Sequence, residues 1–150
     1  MTVRVVLGPF DPAAELAAFA RGREEVGGIA SFTGLVRGEH GGERILAMTL
    51  EHYPGMTERQ LARIEAEARA RWPLFDVLVI HRVGRMLPGE PIVLVATASA
   101  HRAAALEACA FLIDWLKTKA PFWKLEETPS GERWVEARAA DDTAAARWER

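Results

Sequence analysis

The sequence predicts an α+β sandwich, and three observations carry that expectation. Its elements follow the order β-α-β-β-α-β-β-α-β-β, with consecutive strand pairs between helices, unlike a doubly wound parallel sheet. Two strands centre on Val77-Leu78-Val79-Ile80 and Ile92-Val93-Leu94-Val95, continuous β-favouring runs suited to burial on both faces. The length of 150 residues, 49% of them hydrophobic and 27% charged, suits a single domain that folds without disulfides or a structural metal.

The first strand is expected at residues 3–7. A helix follows at 12–21, where Asp11 caps the free amides and Pro12 occupies the first helical position. Gly27-Gly28 precedes a strand at 29–37, and the polar loop GEHGGE leads to another at 44–52, stopped by Pro54-Gly55. Residues 57–72 place Leu61, Ile64 and Ala68 at helical spacing among Glu and Arg, and Pro73 ends that helix. Strands at 76–83 and 92–99 flank RMLPGEP, which reads as a turn. The third helix is expected over 102–117, with Leu106, Cys109, Ile113 and Leu116 on its apolar face, and Ala120-Pro121 must end it. Residues 122–127 and 133–136 form a hairpin around Pro129-Ser130-Gly131. The segment from about 139 reads as a flexible tail, with a short frayed helix from Asp141.

Charge excludes several classes of function. Nineteen Lys+Arg against 21 Asp+Glu give a net charge of -2, which argues against nonspecific nucleic-acid or membrane-surface binding. The N-terminus lacks a signal peptide's apolar core, and no apolar run reaches the ~18 residues of a membrane span, so a cytoplasmic location is expected. Cys109 lies in an apolar helical stretch, as a packed core thiol would. The histidines show no zinc-ligand spacing, so neither a metal nor a cofactor is expected.

Within the charge, amines are segregated. The basic residues are 16 Arg and only 3 Lys, and the lysines Lys117, Lys119 and Lys124 follow one another in the order of basic residues. Lys117 alone is explained by the dipole at a helix C-terminus and by Asp114 three residues earlier. Lys124 is not, because it lies beyond the Pro121 stop between Trp123 and Leu125. If the strand turns back along the helix end, both ammonium groups reach one pocket, where cationic neighbours and partial burial lower a lysine's pKa and supply an amine that arginine cannot.

At Ser99-Ala100-His101-Arg102 a strand meets a helix. The free amides of the first turn and Arg102 favour an anion there, and His101 adds a hydrogen bond or proton; the plainer account has Ser99 capping the helix and the other two solvated. Arg37 and Arg102 offer forks for phosphate or carboxylate. Trp115, Phe122 and Trp123, at a helix–strand junction, read as core rather than as base-stacking platforms.

These segments have a precedent. FTGLVRG, LEHYPGMTE, IHRVG followed by PGE, SAHR, KTKAPFWK and ERWVEAR occur in the order found in the large, catalytic subunit of molybdopterin synthase, and the sequence resembles that family over about residues 28–138. The resemblance implies an α/β-hammerhead-like sandwich with an additional antiparallel sheet, and a central homodimer with a small ubiquitin-like subunit on each copy, a heterotetramer. The small subunit's C-terminal Gly-Gly thiocarboxylate would donate sulfur to cyclic pyranopterin monophosphate, forming the molybdopterin dithiolene. By matching position, Lys117 and Lys124 are the catalytic lysines. Arg37, His101 and Arg102 match phosphate contacts, while Leu35, Val36, Leu125 and Glu126 flank the substrate. Phe32 shapes the pocket, and Arg138 matches a position that reaches the neighbouring protomer. The chain ends RWER, not Gly-Gly, so the resemblance makes it the pocket-bearing partner.

Overall fold

Two four-stranded sheets and a small ribbon enclose the longest helix in the computed structural model, which describes residues 3–135 and 139–149. In chain order the elements are β1 (Val3–Val6), α1 (Pro12–Ala20), β2 (Gly28–Leu35), β3 (Glu39–His40), β4 (Glu43–Arg44), β5 (Ala47–His52), α2 (Met56–Arg71), β6 (Leu74–Arg82), β7 (Gly84–Met86), β8 (Pro91–Ser99), α3 (Arg102–Lys119), β9 (Phe122–Thr128), β10 (Gly131–Val135) and α4 (Ala139–Ala146). The first sheet has the order β1-β6-β8-β2 and the second β10-β9-β5-β7, with β3-β4 as a separate ribbon. Only the β1–β6 pair is parallel, so the architecture is α+β as expected.

Alternation along β6 and β8 divides the core. Val77, Val79, Val93 and Val95 face α2 and α3, joined by Leu61, Ile64, Phe111 and Leu112. Leu78, Ile80, Leu94 and Ala96 face the other way, onto Phe19 of α1. Both runs are therefore covered on two sides, which explains their uninterrupted apolar character. Asp11 caps α1 as anticipated, its carboxylate accepting from the amides of Ala13 and Ala14.

Several expectations change. The GEHGGE loop is itself a ribbon, because Gly41 and Gly42 both adopt positive φ, 62° and 81°, the geometry of a two-residue hairpin turn. Arg85 and Met86 of the expected turn, with Gly84 just before it, form β7 and pair with β5. Ser99 does not cap α3, because its hydroxyl donates to the Pro73 carbonyl at 2.8 Å and His101 takes the cap position. Leu106 is 59% exposed rather than on the apolar face. That face runs instead through Ala105, Ala108, Cys109, Leu112 and Leu116, because a sheet contact through small alanines lets the helix sit close. Trp123 is exposed and meets Tyr53 edge-on instead of entering the core. The segment expected to be a flexible tail forms α4. Trp115 donates to the Ala145 carbonyl, and Trp148 donates to Asp114 while packing on Trp72 and Phe111.

Truncating the true apolar face, by Leu112→Ala, is expected to lower unfolding free energy by about 2–5 kcal/mol, while Leu106→Ala stays within about 0.5 kcal/mol. Urea denaturation of both variants checks the phase of α3. A second expectation follows from His81, which lies 5% exposed at the end of β6. Burial pushes its imidazole down from 6.5 to about 3, with the Lys117, Lys124 and His52 charges acting in the same direction. Between those values the unfolded chain binds the extra proton, so stability is present above about 6.5 and is lost as pH falls toward about 3. Denaturation midpoints should fall across that window, and His81→Gln should flatten the decline.

Candidate active site

The site begins with a helix that cannot continue. Pro121 ends α3, Ala120 turns to extended geometry, and the Phe122 amide donates to the Ala120 carbonyl at 2.9 Å. The chain reverses at once into β9. Lys117 in the last turn of α3 and Lys124 on β9 therefore lie on either side of one sharp bend.

Register then decides what faces the bend. On β9, Phe122, Lys124 and Glu126 share a face and pair with His52, Leu50 and Met48 of β5. From the other side Val135 pairs with Lys124 and Arg133 with Glu126. Lys117 and Lys124 line a cavity of about 120 Å³, walled by Leu50, His81, Leu116, Phe122 and Asp141. Both also line an adjoining cleft of about 380 Å³, formed by Phe32, Leu35, Val36, Arg37 and Glu126. Ile92 and Val135 are likewise common to both, so the lysine pair stands at the junction of the two spaces.

Six expected site residues besides the lysines are placed as follows. Phe32, Leu35 and Arg37 are exposed at the cleft; Val36 borders it but is only 4% exposed, its amide and carbonyl tied to Glu90 and Gly89. Glu126 borders the cleft too, yet it is buried and already engaged. Arg133 donates to its carboxylate at 3.1 Å, the His40 ring lies 2.9 Å away, and Arg133 also binds Glu43 and the His40 carbonyl. This carboxylate secures the β3-β4 ribbon beside the cleft. Leu125 lies on the opposite face of β9, aligned with Trp134 and Thr49, because strand alternation turns it away from Lys124.

His101 and Arg102 are not brought to the lysines. They are exposed at the other end of α3, and fifteen residues of helix separate Arg102 from Lys117 by about 22 Å. Their turn is tightly built: a Cβ at Gly27 would lie 2.0 Å from the Ala100 carbonyl oxygen, so glycine is required there. Arg138 lies outside the described residues. Lys119 turns from the cavity, with its ammonium 3.2 Å from Glu149 and over the Trp115 ring. Cys109 is buried among apolar side chains, and burial pushes its thiol up to about 11.

Sequence reasoning missed His81 in the cavity wall, His52 opposite Phe122 on β5, and the Arg133–Glu126–His40 clamp. The signal for His81 was available: a histidine ending an otherwise apolar strand must be solvated or aimed at something polar. Its Nδ1 donates to the Arg82 carbonyl at 3.0 Å, and its ring stacks on Phe122 with centroids 4.1 Å apart. His52 carries a buried Nδ1 without a hydrogen-bond partner among the described residues.

Comparison with known proteins agrees with this arrangement. The family model described as "MoaE protein" matches residues 5–119. A molybdopterin synthase catalytic subunit from Pseudomonas aeruginosa is 52% identical over 149 residues, 99% of each chain. The crystallised MoaE protein of Burkholderia ambifaria superposes with a TM-score of 0.83 at 52% identity, covering 98% of this chain and 97% of that one. The fold is shared with a protein–protein complex of subunits 1 and 2 of the Helicobacter pylori molybdopterin-converting factor, at a TM-score of 0.76, 21% identity and 91% coverage of both chains. With a family model matching residues 5–119 and 52% identity to a relative over nearly the whole length of both chains, the chain belongs to the MoaE family of molybdopterin synthase catalytic subunits.

Proposed function

We propose that the chain, acting as one domain over residues 1–150, is a sulfurtransferase that takes sulfur from the C-terminal thiocarboxylate of a small ubiquitin-like subunit and places it on cyclic pyranopterin monophosphate. The observation that carries this reading is the lysine pair at the junction of two adjoining spaces, one a small cavity and the other a cleft. Two reactants can approach from different sides and meet at two amines. Position alone accounts for much of the rate expected of such a site.

Chemically, the thiocarboxylate sulfur attacks an electrophilic carbon of the pterin, a carbon–oxygen bond there breaks with the oxygen leaving as water or on the phosphate, and an acyl–sulfur link joins partner and substrate. Its acyl carbon is then attacked by water or by a lysine amine, the carbon–sulfur bond to the partner breaks, and sulfur stays on the pterin. A second thiocarboxylate supplies the second sulfur of the dithiolene. Lys117 is assigned nearest the acyl carbon, as base or transient acyl acceptor, and Lys124 stabilises developing negative charge and moves protons. Arg37, beside both lysines in the cleft, supplies a fork for the phosphate.

A homodimer resolves the separation within α3. His101 and Arg102 cannot share a small ligand with Lys117 of the same chain across about 22 Å. They contribute to a phosphate site when a second copy brings its α3 N-terminus to the Arg37 side of the first, and Arg138 is assigned to the same crossing. The small subunit then docks once per copy, giving a heterotetramer. The assembly is assigned to the cytoplasm; among the described residues no helix is long and apolar enough to cross a membrane.

Reconstitution from this chain, a thiocarboxylated small subunit and the pterin should yield a product heavier by two sulfurs, read by mass spectrometry. Lys117→Arg and Lys124→Arg should each lower the rate about 100-fold or more, since arginine keeps the charge but supplies no titrating amine. Full activity in both would leave only an anion-binding module. Mixing equal amounts of Lys117→Ala and Arg102→Ala chains under exchange should recover about a quarter of the wild-type sites, because half the dimers are mixed and each holds one intact site. No recovery would sink the shared-site assignment.

A further inference from the structure

The small cavity contains an imidazole that the sulfur-transfer chemistry above leaves unused. We propose that His81 is a positioning residue for Lys117: its neutral ring offers Nε2 as a hydrogen-bond acceptor for an N–H of Lys117, which directs the lone pair of the amine toward the reacting acyl carbon. The role rests on the sulfur-transfer reading of the site.

Geometry fixes the ring on three sides. Nδ1 carries the proton, because it donates to the Arg82 carbonyl at 3.0 Å, and this leaves Nε2 with an unshared lone pair. Phe122 stacks against the ring face at 4.1 Å and 21°. Strand alternation points His81 to the side of β6 that holds Val77 and Val79, toward α3. It thereby lines the same small cavity as Lys117 and Lys124. Among the described residues Nδ1 alone of the two ring nitrogens is engaged, and His81 lines the cavity, so Nε2 is left for a donor there.

The charged surroundings explain why the acceptor stays an acceptor. The titratable groups around the ring are Lys117 from α3, Lys124 from β9, His52 from β5 and Asp141 from α4. Burial and the two lysine charges hold the imidazole neutral, with Lys117 exerting the larger influence of the pair. A protonated histidine would repel both ammonium groups; a neutral one attracts them. A wholly apolar wall would also strip water from Lys117 and depress its pKa, and an acceptor offsets that loss. His81 therefore sets both the direction of the amine and the pH at which it gives up a proton.

Two substitutions separate this role from packing. His81→Phe keeps a ring against Phe122 and removes the acceptor, whereas His81→Gln keeps an acceptor near the Nε2 position. With only three lysines in the chain, NMR of lysine-labelled protein resolves each amine's titration. In His81→Phe the Lys117 titration should move to lower pH. Single-turnover sulfur transfer should fall about 10- to 100-fold with little change in pterin affinity, and the alkaline pH dependence should shift with Lys117. In His81→Gln both the titration and most of the rate should return. An unchanged Lys117 titration in a folded His81→Phe protein overturns the proposal, as does equal loss in both variants. Should His81→Phe not fold, Lys117 in His81→Gln and the ¹⁵N tautomer of His81 in the wild type decide: a proton on Nε2 rather than Nδ1 overturns it. The titrations need no substrate, so an inactive wild-type reconstitution would count against the sulfur-transfer reading alone.

Discussion

The enforced end of α3 at Pro121 is the constraint on which the site depends. An uninterrupted helix would carry residue 124 two turns beyond Lys117, away from the second sheet. Because proline can neither donate an amide hydrogen nor tolerate a helical residue before it, the chain reverses within two residues and enters β9. The pairing of β9 with β5 then holds Lys124 opposite Leu50. Two cations are thus held near one another by backbone rather than by their own attraction. The C-terminal dipole of α3 favours the charge on Lys117, and the buried Glu126 lies two residues from Lys124 on the same strand face.

The same strand separates chemistry from scaffold. Its inward residues, Phe122, Lys124 and Glu126, form the cavity and clamp the ribbon, whereas Trp123 and Leu125 turn outward. Glu126 is the clearest case of a residue with a site address and a structural occupation. Its carboxylate is engaged by Arg133 and His40, so it supports the edge of the cleft by holding β3-β4 in place. Of the expected binding residues on this side of the chain, Arg37 stays exposed at the cleft.

Much of this was legible in the residues. Proline and glycine marked the helix stops, the apolar runs marked β6 and β8, and the clustering of lysines located the bend. What stayed hidden depends on contacts between distant segments. The apolar face of α3 was misphased because two alanines, Ala105 and Ala108, of low hydrophobicity, form part of its buried face, while the larger Leu106 faces outward. Arg85 and Met86 looked like part of a turn because the three residues of β7 carry too little periodicity to declare a strand, and only β5 makes them one. Leu125 was placed beside the substrate by the family resemblance, and strand alternation sets it on the face of β9 opposite Lys124. His81 went unnoticed as a wall of the cavity because its partners, Phe122 and Lys117, come from elements about forty residues away.

The burial of Cys109 has a chemical consequence for a chain that handles activated sulfur. An acyl group bonded to sulfur exchanges readily with any accessible thiolate, which would divert the partner's tail onto the protein and stall turnover. Here the only thiol lies two helical turns from Lys117 along α3, packed among apolar side chains and protonated well beyond neutral pH. Cys109 lines neither the cavity nor the cleft that the two lysines share, so an acyl–sulfur link held there meets no thiol of the chain.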